Sequence, residues 1–308
     1  MTANRAIELT SDTATKPSAA MRRAMAEAEV GDEQRGEDPT TNALQEQVAH
    51  LLGKEAAVFL PSGAMCNQIA LCVHCRPGDE VMAADGSHIF TSEAGGAAVL
   101  AGAQTWPIAS DRGIFTPQAL NAAIRQPSRH SPRTALVVLE QTNNRGGGAV
   151  WPLAAIEAVA AAAHKAGAAV HMDGARILNA QVASGVAAKA FAAPCESAWL
   201  DLSKGLGCPV GGVLAGSKAF IQEAWRWKHR LGGAMRQSGI LTAAGLYALD
   251  HNIERLAEDH ANARCFASLV AGLPGVRLDP AEIETNIVFF DCVNRGADKI
   301  LSVANHRP

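Results

Sequence analysis

The sequence predicts an α/β fold: a doubly wound, mostly parallel sheet followed by a smaller α+β unit that looks incomplete. Two observations predict it. Short apolar runs recur along most of the chain, with helix-period stretches between them. After Gly239 that alternation gives way to a long Ala- and Leu-rich helical stretch. The 308 residues, 48% of them apolar, can bury a large core and leave room for two domains. We expect a large domain over 1–239, with its N-terminal segment, and a small one over 240–308.

Apolar runs at Ala56–Leu60, Glu80–Ala84, Ala135–Leu139, Ala168–Met172, Ala198–Leu202 and Gly211–Ala215 read as buried strands. Ser62-Gly63-Ala64 follows the first run and opens a helix-like segment, Met65 to Leu71. His88 follows the second run and a turn. Arg125–Arg133, with two prolines, reads as a surface connector. Trp151-Pro152 leads into Leu153, Ile156, Val159 and Ala163 at helical spacing, ending at Gly167. Ile240 to Val270 reads as one or two long helices, and Gly275-Val-Arg-Leu278 and Asn286–Phe290 as strands.

Composition excludes several classes. A net charge of −3 gives no general electrostatic reason to bind nucleic acid or an anionic membrane. The start, Met1-Thr-Ala-Asn-Arg5, leads into a polar segment rather than an apolar signal core. The longest Ala-rich run is broken by Glu157 and followed by His164-Lys165, so no membrane span is expected. Seven irregularly spaced cysteines argue against a secreted disulfide framework. Cys72-Val-His-Cys75 lacks a second ligand pair nearby and reads as buried structural thiols. The expected compartment is the cytoplasm.

Two segments carry the chemistry. One apolar run ends on Asp173, in His171-Met-Asp-Gly-Ala-Arg176; another ends on Ser203-Lys204, before the glycine-rich Gly205-Leu-Gly-Cys-Pro-Val-Gly-Gly212. In a doubly wound sheet, ligands sit outside the carboxyl ends of the strands, where both residues fall. A lysine there can form a Schiff base with an aldehyde, and a buried carboxylate can keep a pyridinium nitrogen protonated. Those are the two protein groups that pyridoxal 5'-phosphate needs. The alternative for each residue alone is a turn cap for Asp173 and a solvated surface amine for Lys204.

Ser62, Gly63, Ala64 and Met65 supply a helix start whose free N–H groups suit a phosphate, although a Ser-Gly turn is common for other reasons. A planar guanidinium such as Arg176 can grip a carboxylate in bidentate fashion; its alternative is a surface ion pair at the start of a helix. Ser11 can donate to the same carboxylate or cap a turn.

The chain resembles the low-specificity L-threonine aldolases, of the fold-type-I pyridoxal-phosphate superfamily. The matching segments run in family order: Leu9-Thr-Ser-Asp-Thr-Ala-Thr-Lys-Pro17, Gly36-Glu-Asp-Pro-Thr40, Pro61-Ser-Gly-Ala-Met65, Ser87-His-Ile-Phe90, Glu93-Ala-Gly-Gly96, Gly146-Gly-Gly148, Met172-Asp-Gly-Ala-Arg176, Ser203-Lys-Gly-Leu-Gly207, Met235-Arg-Gln237 and Thr285-Asn-Ile-Val-Phe289. The resemblance implies a fold of the PLP-transferase type and a carbon–carbon lyase that converts β-hydroxy-α-amino acids such as L-threonine and L-allo-threonine to glycine and an aldehyde. It implies Lys204, Asp173 and His88 as catalytic residues, with His88 stacked on the pyridoxal ring. It places the phosphate at Ser62–Met65 and Arg236, and the substrate carboxylate near Arg176, Ser11 and His88. No metal is implied. Part of the Arg236 segment serves a neighbouring subunit in the family, which implies a homodimer or a homotetramer built of two dimers.

Four positions depart from the family pattern. Arg35 stands where a tyrosine is usual, and Asn143 where a histidine is common. His229 replaces a lysine, and Ser92, with Phe90 nearby, stands at a position that some members fill with an aromatic ring. Asn143 removes a candidate imidazole near the substrate hydroxyl, which leaves the base of the bond-breaking step and the threo/erythro preference open. The chain stops at Ala304-Asn-His-Arg-Pro308, whereas the resemblance predicts further residues that complete the small domain and bring an arginine to the carboxylate. Arg307 does not stand in the matching context. Two other readings remain at this point: a different pyridoxal-phosphate reaction, β-elimination or transamination, and a shortened non-catalytic homologue.

Overall fold

The six apolar runs, joined by one further edge strand, assemble into one seven-stranded sheet. A computed structural model describes residues 7–278 and 282–293 of the chain. In chain order the strands are β1 (Ala56–Leu60), β2 (Glu80–Ala84), β3 (Gln104–Ile108), β4 (Thr134–Glu140), β5 (Ala169–Asp173), β6 (Ser197–Asp201), β7 (Gly212–Gly216), β8 (Val276–Leu278) and β9 (Phe290–Cys292). The first seven lie in the order β1-β7-β6-β5-β4-β2-β3, and β8 and β9 form a separate pair. β2/β3, β2/β4, β4/β5 and β5/β6 are parallel; β7 runs antiparallel to both β1 and β6.

Alternate side chains of each central strand enter different layers, as a period of two requires. Met82 and Ala84 pack with Val137 and Leu139 on one face, while Val81 and Ala83 pack with Leu136 and Val138 on the other. Both faces are covered by helices, so β2, β4, β6 and β7 are buried along their whole length. Ile156, from the helix Leu153–Lys165 that was expected, and Trp151, just before that helix, close the first layer.

Six strands were legible as apolar runs, with ends one residue off at four of them. β3 was not, because it is a sheet edge: four of its five residues are exposed, and it contains Pro107. The stretch after Gly239 forms two helices, Gly239–His251 and Leu256–Ala271. The first packs against the helices Ala19–Ala26 and Pro39–Leu51, the second against the helix Ile177–Ser184 and β8.

The last strand corrects the expectation for Asn286–Phe290. The pairing runs over Phe290–Cys292 instead. Thr285 and Asn286 are drawn off by other partners: the Thr285 hydroxyl donates to the Gly148 carbonyl at 2.8 Å, and Asn286 Nδ2 donates to Asp12 at 3.0 Å. Arg307 and the rest of 294–308 lie outside the described residues.

Cys72 and Cys75 are buried, and burial pushes their thiols up to about 11 and about 12. They are inert packing groups at neutral pH. Among the described residues no helix is long and apolar enough to cross a membrane.

Candidate active site

Three neighbouring parallel strands end on carboxylates. Glu140 closes β4, Asp173 closes β5 and Asp201 closes β6, with Glu140 and Asp173 directly paired in register. All three are nearly inaccessible to solvent. Buried acids need partners, and each has a different set.

Asp201 organises the lysine. Its Oδ1 accepts from the Ser203 backbone N–H at 2.7 Å and the Ser203 hydroxyl at 2.9 Å, and its Oδ2 accepts from Lys204 Nζ. Lys204 lies beyond the end of β6, in the turn, and its ammonium sits 5.6 Å from the centre of the Trp199 ring. Its carbonyl accepts from the Thr15 hydroxyl at 2.8 Å, which ties the N-terminal segment to this turn. Arg176, Asp201 and Lys204 line one cavity.

Asp173 is 1% exposed. Its Oδ1 accepts from the Ala175 N–H at 3.1 Å and its Oδ2 from Asn67 Nδ2 at 2.7 Å. Burial pushes its carboxyl up, opposed by the Asn67 hydrogen bond and reinforced by the nearby Glu93. One carboxylate oxygen each of Asp173 and Glu93 and a ring nitrogen of His88 all lie within 4.8 Å of one another.

His88 begins a short helix, His88–Thr91, at the carboxyl edge of β2. Its Nδ1 is 2.8 Å from Glu93 Oε1. Glu93 is an acceptor whose side chain is 1% exposed, and its hydrogen bond holds the imidazole above the ordinary histidine value despite partial burial. The backbone N–H of His88 donates to Glu140 Oε2 at 3.0 Å, and Glu140 Oε1 accepts from the Asn144 N–H at 2.8 Å. Glu140 thus does what Ser87 does not: the side chain of Ser87 makes no cap bond at this helix start. Burial, with Asp173 alongside, pushes Glu140 up to about 7.

Ser62 caps the helix Gly63–His74, with its hydroxyl accepting from the Met65 N–H at 3.2 Å. The first N–H groups of such a helix have no intrahelical acceptor. Gly63 is required here for packing as well. A Cβ on it would come within 2.2 Å of the Trp199 ring.

Arg176 is 7% exposed, so it is not the surface ion pair weighed above. It makes two parallel bonds to Asp12, Nε to Oδ2 at 2.7 Å and Nη2 to Oδ1 at 2.9 Å. Ser11 caps the turn Asp12–Ala14, its Oγ accepting from the Thr13 N–H at 3.2 Å. Arg236 stands apart from this group. Its guanidinium is 63% exposed and pairs with Asp32 at 2.8 Å. Behind it, the backbone is fixed by the buried ion pair of Glu33 with Lys228 and by the Glu33 N–H donating to the Arg236 carbonyl at 3.0 Å.

Asn143 is committed to structure. It is 1% exposed, its Oδ1 accepts from the Gly146 N–H at 2.7 Å, and its Nδ2 lies 3.4 Å from Glu140. Asp12, Asn67, Glu93, Glu140 and Asp201 were not singled out from the sequence. Glu93 lies five residues after His88 and Asp201 three before Lys204, and that proximity to a candidate residue was the available signal.

The family model described as beta-eliminating lyase matches residues 8–293. The chain is similar to the low specificity L-threonine aldolase of Escherichia coli (strain K12), at 45% identity over 92% of this chain and 84% of the relative. It is also similar to low-specificity L-threonine aldolase 1 of Arabidopsis thaliana, at 42% identity over 93% of this chain and 81% of the relative. Among solved structures, the threonine aldolase of Leishmania major shares the fold, with a TM-score of 0.82 and 19% identity over 97% of this chain and 87% of that one.

Proposed function

The chain belongs to the beta-eliminating lyase family, and from that premise we propose that it cleaves the Cα–Cβ bond of L-threonine, L-allo-threonine and related β-hydroxy-α-amino acids, releasing glycine and an aldehyde. The observation that carries this reading is the placement of a lysine, Lys204, in the turn just past β6 beside a buried carboxylate, Asp173, that closes the neighbouring strand β5. Relatives at 42–45% identity that bear the aldolase name support it.

The donor set fits pyridoxal 5'-phosphate. Lys204 is the amine that would hold it, and Asp173 the anion for its ring nitrogen. His88 is the planar ring for its face. The helix start at Ser62–Met65 would take the phosphate, with Arg236 serving it in a homodimer or a larger assembly. When bound, this group accepts the electrons released as the bond breaks.

The remaining work falls to side chains. Arg176 binds the substrate carboxylate with the N–H groups that Asp12 leaves over, and Ser11 donates beside it. His88 donates Nδ1–H to Glu93, which leaves Nε2 as the atom that takes the proton of the β-hydroxyl. Asn143 carries no titratable proton and is already bonded, so it is not the base. Asp201 orients Lys204, whose amine returns a proton to the glycine carbon.

The test is product analysis. The purified chain, with pyridoxal phosphate and L-threonine, should yield glycine and acetaldehyde in equal amounts without a keto-acid acceptor. A keto acid and ammonia in place of glycine would replace this reading with β-elimination. Dependence on an added keto acid would replace it with transamination.

A further inference from the structure

Asn67 is 1% exposed, on the helix Gly63–His74, and every hydrogen-bonding position of its amide is used. An amide has two N–H donors and one oxygen with two lone pairs. Nδ2 donates to Glu93 Oε1 at 2.7 Å and to Asp173 Oδ2 at 2.7 Å. Oδ1 accepts from Trp199 Nε1 at 2.8 Å and lies 3.2 Å from His171 Nε2.

The Trp199 contact decides the orientation. An indole N–H only donates, so the atom facing it is the amide oxygen. The NH₂ group therefore points at the two carboxylates. His171 fits the same polarity: its Nε2–H donates to Asn67, and its Nδ1, 2.8 Å from the Ser197 hydroxyl, accepts. His74 Nε2 reaches that hydroxyl from the other side at 2.8 Å.

We propose that Asn67 is a positioning residue: its one NH₂ group, locked by Trp199, holds Asp173 and the Glu93–His88 pair in a single arrangement, so that the two sides of the cofactor site are set together. The assignment of those sides rests on the function proposed above. The charged groups around this amide are Asp173 from β5, Glu93 and His88 from the segment after β2, Glu140 from β4, and Asp201 with Lys204 from the end of β6. Without Asn67, Glu93 keeps Gln68 and His88 as partners, whereas Asp173 loses the side chain that donates to it. Asp173 then holds a proton more tightly, and the negative charge that favours protonated His88 weakens.

The experiment is a side-chain NMR titration of His88 in the full chain without added cofactor, its resonance assigned by its absence in His88→Gln. It is paired with the equilibrium dissociation constant for pyridoxal phosphate. In Asn67→Leu the His88 midpoint should fall by about half a pH unit or more. The dissociation constant should rise about tenfold, the scale of one lost hydrogen bond to a charged group. Trp199→Phe, which keeps the amide and removes its lock, should shift both in the same direction by less; it decides the matter if Asn67→Leu does not fold. A His88 midpoint unchanged in the folded variants would overturn the proposal and leave Asn67 a packing residue. Failure of the parent chain to bind pyridoxal phosphate would overturn the proposed function instead, while the titration still decides the role of Asn67.

Discussion

Arg176 and Asp12, far apart in sequence, face each other through two parallel N–H···O bonds of 2.7 and 2.9 Å, with side chains 7% and 9% exposed. Arg176 outweighs the effect of burial and holds the Asp12 carboxyl below its ordinary value. Removing one partner of a buried pair strands the other charge, which costs on the order of 3–5 kcal/mol. Asp12→Ala should therefore lower the melting temperature and, with Arg176 unanchored, raise KM for the amino acid more than it lowers kcat. Equal KM in the variant and the parent would mean that Asp12 serves stability alone.

Lys204 should be the residue that reacts with the cofactor aldehyde. Borohydride treatment of the loaded protein should abolish its absorbance near the visible edge, and peptide mapping should find the reduced adduct on Lys204. An adduct on Lys165 or Lys218 would displace the assignment.

Asp173→Ala removes the buried anion from the end of β5. Turnover should fall by about a hundredfold or more, the usual scale for loss of a preorganised charge partner. Asp173→Glu should keep part of the activity. Near-parent turnover in the alanine variant would show that the ring nitrogen is paired elsewhere.

Glu93 raises the affinity of His88 for its proton. As a base His88 works in its neutral form, so the acid limb of kcat/KM should lie above the ordinary imidazole value of about 6.5. Glu93→Gln removes the anion and should move that limb to lower pH. A limb that does not move would assign the proton transfer to another group.

His74 and His171 make stability acid-sensitive. Burial lowers them to about 4 and about 3, so both stay neutral in the fold while the unfolded chain protonates them near 6.5. Between those values the unfolded state binds more protons. Their contribution is complete above about pH 6.5 and is lost as pH falls toward 3, at up to ~1.4 kcal/mol per unit for each histidine. Melting curves between pH 7 and 4 should show this slope, and the His74→Gln/His171→Gln variant should flatten it. An unchanged slope in the double variant would place the acid sensitivity in other groups.

Much of the sheet was legible because its strands are buried on both faces and read as unbroken apolar runs. β3 escaped because an edge strand meets solvent and tolerates Pro107. Asp173 and Lys204 were legible because each follows such a run. Asn67, Glu93 and Glu140 were not, for a different reason. They come from separate elements, and their side chains converge only once β4, β5 and the helix Gly63–His74 have docked. Asp12 was hidden in the same way, in an N-terminal turn whose partner lies past β5. Local pattern names a residue's own element, not the partner a distant strand supplies.

The antiparallel seat of β7 has a consequence for synthesis. β1, Ala-Ala-Val-Phe-Leu, is made early and, among the described residues, pairs with β7 alone. About 150 residues must be translated between them, which at roughly 5–20 residues per second takes ~8–30 s. Through that interval the nascent chain carries an apolar, chargeless strand with both edges unpaired, the kind of segment that templates association between chains. Chaperone engagement on the ribosome, and the yield at fast translation, should therefore depend on the short stretch Ala56–Leu60 more than on any part of the finished site.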